Sequence, residues 1–465
     1  MPPLRGSRRR TAAAPYTTAK GWLSCCRRQT RSSSRKADQH VDDDPLAVLP
    51  DDVVSAIFST VFTDDAVDVT RCAAAFGRWA RVVAARTDAI ARAMPPPGRY
   101  LPHMALGFFH GGKDDDQTRR RQLPQLRFVP MDSASLILGP PPFPGLASIS
   151  SSSSLKLKHG RVVASRNGRV VLELRRESRG AGLALCACNP MTGDVAALPP
   201  LAGEHAPGKD YACAILAGDA TGSSFRLLLV YNRRGFTALR SYYSDSSSSF
   251  SSDAGGTWGP KGRKPGAKIA GHVLRRLGPA AVVRGVAYWP MNPSVALGVR
   301  VDGGTAHHVC YVPYSMKHYY PDDRVLGVTS DGMLAYVSAG VSGDALLIMV
   351  EALDLRQMMS VEDGMTMMSS AEESRERWER RQCVRLTQFK ISTTTEIKLR
   401  WFGDKSGTVI FTVGEGANTS GVFAVNVATS AVQKLADGVH CHSWKNVCGY
   451  EMDRAGLLAA VVARI

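Results

Sequence analysis

The sequence predicts a multidomain α + all-β chain, with a small N-terminal three-helix domain followed by a large β-propeller-like domain. Three observations carry that expectation. Val53, Val54, Ile57, Phe58 and Val61 recur at the spacing of one apolar helical face. Met94-Pro95-Pro96-Pro97-Gly98 then blocks further helix, because prolines lack the amide donor and push the preceding residue to extended backbone. Beyond these prolines the chain is dominated by short apolar runs closed by turn residues. The predicted boundaries are a basic tail at 1–44, a helical domain at 45–93, a linker at 94–125 and the β domain at 126–465.

Within the helical domain, Pro50 suits a first helical turn, where its missing N–H costs nothing, and Asp51 and Asp52 complement the positive helix end. Asp64 or Asp65 can cap a second short helix, and a third carries Trp79, Val82 and Val83 inward. About forty residues make little core, so such a unit gains much by docking on a partner. The plainer alternative is the start of an ordinary helical domain, against which the proline break weighs.

These residues resemble the F-box family. The elements that carry the resemblance are Leu49, Pro50, Asp51, Asp52 and Ile57, then Arg71-Cys72-Ala73-Ala74, then Arg78, Trp79 and Val82-Val83. Two positions depart from the family pattern: Phe62-Thr63 replaces a Leu-Pro, and Phe76 replaces a Cys. The resemblance implies docking on a Skp-type adaptor, which connects to cullin and RING subunits. Leu49, Pro50, Val53, Val54 and Ile57 are the expected adaptor contacts, with Trp79 holding the third helix.

The β region opens with Arg161–Leu174, two apolar runs around Asn167-Gly168, a pair that favours the positive φ of a tight hairpin. Strand-like runs follow at Phe225–Tyr231, Ala281–Trp289, Ala296–Val301, Val309–Pro313 and Val325–Val337. Others lie at Ala345–Leu353, Val384–Ile391, Thr408–Val413, Gly421–Val427 and Leu457–Val462. Some twenty short strands would crowd one sandwich, whereas radial repetition houses them with few exposed edges. Ser244–Gly262 reads as a flexible loop tip, and Ser370 to Arg381 as a short exposed helix with i,i+4 charge pairs. The methionines from Met358 to Met368 could form an adaptable surface, though a disordered excursion is the plainer reading. Asn189-Pro190-Met191-Thr192-Gly193 with Leu198-Pro199 resembles a segment of plant F-box-associated β domains, as do Ser165–Gly168 and Gly285–Trp289. Together these pieces are most similar to grass-type F-box proteins with a β-propeller-like receptor domain.

Charge says less than its size suggests. The formal net charge is +17 and the pI near 9.6, but about half the excess lies in residues 1–37, which hold no acidic residue. That stretch has too few apolar residues for a core and resembles a solvated tail, a nuclear-targeting cluster or an organelle transit peptide. Neither a secretory signal nor a membrane-length apolar run occurs, so an intracellular place in nucleus or cytoplasm is expected, with organelle targeting left open. Ten scattered Cys then read as reduced thiols, and Cys186 and Cys188 as small buried hydrophobes on one strand face.

No catalytic motif stands out, and neither a cofactor nor a metal is expected. His440-Cys441-His442…Cys448 is the best zinc candidate, but its ligands are crammed and lack paired Cys-x₂-Cys spacing. His307-His308 and Asp322-Asp323 read as loop polar residues, and Gly414-x-Gly416 lies in a hairpin rather than opening a helix. The chain is therefore expected to be the non-catalytic, substrate-recognition subunit of an SCF-type ubiquitin ligase, its β domain binding an unknown target protein. Three alternatives remain. They are a propeller binding protein with a degenerate F-box, a nucleic-acid binder using the basic tail, and a propeller hydrolase with carboxylates in a central cleft.

Overall fold

The computed structural model describes residues 45, 46, 48–61, 66–94, 98–112, 125–138, 160–174, 182–191, 195–203, 206–208, 210–216, 224–244, 256–292, 294–302, 306–314, 324–355, 377–392, 394–415, 417 and 419–462. The chain divides into two units, Met1–Pro50 and Asp51–Ile465. In the first, Leu49 N–H donates to the Leu46 carbonyl at 2.9 Å, closing a turn.

The second unit opens with α1 (Asp51–Val61), α2 (Ala66–Ala73) and α3 (Gly77–Ala93). Val54 and Phe58 form the inward stripe of α1, while Val53 on the next stripe is 38% exposed. Arg78 donates to Asp51 through both Nε (3.2 Å) and Nη2 (2.9 Å), so the acidic start of α1 is tied to α3. The Trp79 ring meets Phe58 edge-on at 5.7 Å and Phe76 at 4.5 Å. Met94 caps α3 in extended conformation (φ −63°, ψ 130°), as a residue before proline must.

Six sheets follow, arranged as the blades of a β-propeller. Two strands precede the first complete blade: β1 (Ala105–Gly112) and β2 (Gln125–Pro130), with the short helix α4 (Asp132–Leu138) after them. Blade 1 is β3 (Arg161–Arg166), β4 (Arg169–Glu173), β5 (Leu185–Cys188) and β6 (Val195–Ala197). Blade 2 is β7 (Tyr211–Leu216), β8 (Arg226–Asn232) and β9 (Thr237–Tyr243), edged by β10 (Thr257–Trp258) and β11 (Gly262–Arg263). Helix α5 (Gly271–Arg276) leads into blade 3, formed by β12 (Ala281–Val283), β13 (Val286–Asn292), β14 (Val295–Asp302) and β15 (Ala306–Pro313). Blade 4 is β16 (Arg324–Val328), β17 (Leu334–Ser342), β18 (Ala345–Leu353) and β19 (Glu379–Leu386). Blade 5 is β20 (Ile397–Phe402), β21 (Thr408–Val413), β22 (Gly421–Asn426) and β23 (Val432–Asp437). Blade 6 joins the two ends of the fold. The late strand β24 (Lys445–Glu451) pairs with β1, which pairs with β2, and α6 (Arg454–Val462) follows.

The strands β3, β7, β12, β16, β20 and β24 touch in turn around a ring and are the inner strands of their blades. Blade faces bury against each other. Tyr211, Cys213 and Ile215 enter the core shared with blade 1, while Ala212, Ala214 and Leu216 enter the core shared with blade 3. Such strands are apolar throughout, because both faces are interior. Gly449 in β24 lies flat under Trp401 of blade 5, where an added Cβ would fall inside the indole.

The structure departs from the sequence expectations in four places. Residues 105–112, expected as linker, form the middle strand of blade 6, with Phe108 paired to both Val129 and Gly449. Leu457–Val462, expected as a strand, is helix α6. A short apolar run fits either structure, and Asp453 decides locally by accepting the Gly456 N–H at 2.6 Å as a cap. The expected loop Ser244–Gly262 contributes Thr257-Trp258 and Gly262 to strands, because β9 offers them an open edge. Glu379–Arg381 belong to β19 and not to a helix. Outer strands face solvent, and their charges can mimic a helical pattern. The methionines from Met358 to Met368, Ser370, Phe62-Thr63, Thr192-Gly193, Asp322-Asp323 and Gly416 lie outside the described residues. So does the basic tail, residues 1–44.

Candidate functional site

The inner strands run from a mouth, where they start, to a base, where they turn back into their blades. At the mouth lies a cavity of about 570 Å³. Arg161 opens β3, Arg324 opens β16, and Arg400 lies in β20; all three line it. Helix α5 crosses above blades 2 and 3 and adds His272, Arg275 and Arg276. Arg275 is held by Asp210 at 2.9 Å, and Arg161 donates to Glu173 through Nε at 2.8 Å and Nη2 at 2.5 Å. The guanidinium of Arg324 lies 5.3 Å from the centre of the Tyr314 ring. Arg400 donates to Thr412 Oγ1 at 3.2 Å and to the His442 carbonyl at 2.6 Å. Burial lowers the pKa of Arg400, which has no carboxylate beside it to offset the loss of water. No Asp or Glu lines this cavity among the described residues.

At the base, contacts cross between blades. Arg166, at the end of β3, reaches Asp404 of blade 5 (Nε to Oδ2, 3.6 Å) and donates to the Val282 carbonyl of blade 3 at 3.1 Å. Asp404 also accepts the Val328 N–H of blade 4 at 3.0 Å, so one charged pair ties four blades together. Glu451 beside them accepts the Ser406 N–H at 2.7 Å. The helices attach on this side. Leu101 N–H donates to the Lys405 carbonyl at 2.8 Å, Arg454 Nη1 to the Met94 carbonyl at 3.1 Å, and α6 packs on α2 and α3.

Of the expected adaptor-contact residues, Leu49 is half-buried and Pro50 exposed in the first unit. In the second, Val53 is exposed, Ile57 half-buried, and Val54 and Trp79 buried. The inner stripe of α1 thus runs through Val54 and Phe58, and the outer one through Val53 and Ile57. Cys186 and Cys188 are buried, with thiols pushed up by burial, that of Cys186 to about 12. Within the zinc candidate, Cys441 Sγ lies 3.7 Å from His440 Nε2, while its other contacts lead elsewhere. Cys441 Sγ donates to the Asp437 carbonyl at 3.1 Å, and His442 Nε2 stands 2.8 Å from Glu396. Among the described residues no three potential metal ligands converge, and no helix is long and apolar enough to cross a membrane. The arginines of the mouth were not singled out from sequence. They are separated by scores of residues, and only the ring brings them together.

A family profile, DUF7595, a domain of unknown function, matches residues 153–463. The chain belongs to this family. The DUF7595 match spans β3 to β24 and the whole of α6, and it leaves out α1–α3 and the two N-terminal strands of blade 6. No curated protein matches the sequence. Among solved structures, TolB from Acinetobacter baumannii is 13% identical with a TM-score of 0.35, over 79% of this chain and 72% of that one. A puromycin hydrolase mutant complexed with PGG is 16% identical with a TM-score of 0.30, over 63% of this chain and 40% of that one. Prolyl oligopeptidase B from Galerina marginata is 13% identical with a TM-score of 0.26, over 58% of this chain and 36% of that one. Likenesses this distant say nothing of substrate or activity. The fold itself, a β-propeller with an open cavity at one end, is compatible with protein binding.

Proposed function

We propose that the chain is the substrate-recognition subunit of an SCF-type ubiquitin ligase. Its helical region, with the F-box-like residues, docks on a Skp-type adaptor, and its DUF7595 propeller binds the target protein. The observation that supports this best is placement: α1–α3 attach at the base, while the open cavity lies at the other end of the ring. In this reading α1–α3 and the recognition surface use opposite ends of the ring. Exposed Pro50 and Val53 supply apolar contact, while Val54, Phe58 and Trp79 hold the shape of the helices. The chain does no chemistry in this reading. Through the adaptor it joins cullin and RING subunits in nucleus or cytoplasm, and it raises the effective concentration of target beside a charged ubiquitin carrier.

The test is capture of the full-length chain by purified Skp-type adaptors, beside the variant Leu49→Ala, Pro50→Ala and a second variant, Val53→Asp. Capture of the wild type, lost in both variants, is the expected result. A second reading is favoured by the packing of α6 on α2 and α3, which fills a face of the helical region from within the chain. If that face is the one an adaptor needs, no adaptor is captured and the protein is a propeller binding protein without a ligase role.

A further inference from the structure

We propose that the mouth of the central channel is a binding site for a small polyanion, a compact molecule carrying two or more phosphate groups. Arg161, Arg324 and Arg400 come from inner strands of three different blades, and His272, Arg275 and Arg276 from the helix above. All six face one cavity of about 570 Å³, within the range of small-ligand pockets.

Among the described residues the charges do not balance. Glu173 neutralises Arg161, and Asp210 neutralises Arg275. Arg276, Arg324 and Arg400 form no ion pair with any described residue. The Tyr314 ring holds Arg324, and Thr412 with the His442 carbonyl holds Arg400; these neutral partners fix the guanidiniums without cancelling their charge. Three like charges around one concavity repel each other and focus a positive potential into it. A ligand with about three negative charges would relieve that repulsion, and the planar fork of arginine matches phosphate oxygens two at a time. At the other end of the ring Arg166 bridges to Asp404 and to the Val282 carbonyl across blades, and a cavity of this size suits a compact anion. The site is remote from the helical region, so the inference stands or falls independently of adaptor docking.

The test uses the full-length chain and inorganic tripolyphosphate as probe, in calorimetric titration and thermal unfolding at constant ionic strength. A glutamate-rich peptide of equal charge and the variants Arg276→Gln and Arg400→Gln serve as comparators. The expected result is one tripolyphosphate per chain, a raised Tm, and an affinity reduced at least about tenfold in each variant. Arg276 is exposed on α5, so Arg276→Gln tests the site even if Arg400→Gln folds poorly. Binding of equal strength in the variants would move the anion to the basic tail and overturn the proposal. So would tighter binding of the peptide than of tripolyphosphate, which would make the mouth a reader of acidic protein segments, and so would no binding at all.

Discussion

Asp404 sits at the centre of the contacts that tie the blades at the base. Burial pushes its carboxyl from an ordinary 3.8 up to about 6, against the opposing pull of Arg166 and the Val328 N–H. The folded chain therefore binds this proton more tightly than the unfolded chain does. The stability gained is full below about pH 4 and is lost as pH rises through about 6. Asp404→Asn cannot ionise and lacks this dependence. Across that interval wild type should lose roughly 2–3 kcal/mol of unfolding free energy relative to the variant, measured by urea denaturation at a series of pH values. A difference independent of pH would show that folding does not raise the Asp404 carboxyl. At this scale the sequence was partly legible. Asn167-Gly168 announced a tight hairpin, and both residues take positive φ, 51° and 72°. Arg284-Gly285 makes the same kind of turn with φ of 49° and 78°, yet arginine carries no turn signal, and only the pairing of Val283 with Val286 imposes it.

Among elements, β1 and α6 were misread for one reason: their state depends on partners far away in sequence. The run Ala105–Gly112 is short, carries three glycines, and has no turn partner nearby except across residues 113–124. Its second partner, β24, lies more than three hundred residues on. Phe108 is fully buried between blades 5 and 6. Phe108→Ala should therefore cost about 3–5 kcal/mol in chemical denaturation, whereas the same change in a surface linker would fall within about 0.5 kcal/mol. The blade repeat is also hidden from pattern-matching. Trp258 Nε1 donates to the Pro199 carbonyl at 2.7 Å, and Trp378 Nε1 to the Pro313 carbonyl at 2.8 Å. In each case a Trp at the outer edge of one blade ties to the end of the previous blade. The two Trp–Pro spacings differ, so no fixed period marks the contact in sequence.

Taken as a whole molecule, the second unit is closed twice by distant parts of the chain. β24 pairs with β1 to complete blade 6, and α6 packs on α2 and α3. Leu457 and Leu458 are buried there. Removing residues 454–465 should thus loosen the other end of the protein. Amide hydrogen exchange in α1–α3 is expected to speed up markedly while the middle strands of blades 2 to 4 keep their protection. Unchanged protection of α1–α3 would show that the helical region is stable without α6. The same closure ties the helices and the six sheets of the second unit to each other.

What the sequence determined by itself was local. Apolar spacing fixed α1, the Pro run ended α3, turn residues divided the β region, and the excess of short strands over what one sandwich holds pointed to a propeller. What the tertiary structure decided was everything that depends on closing the ring. It decided that there are six blades, that an N-terminal strand finishes the last of them, which stripe of α1 faces inward, and that arginines from three blades and a helix share one mouth. The physical reason is that backbone propensity acts over a few neighbours, whereas strand pairing and charge convergence join residues hundreds of positions apart, and no local pattern records them.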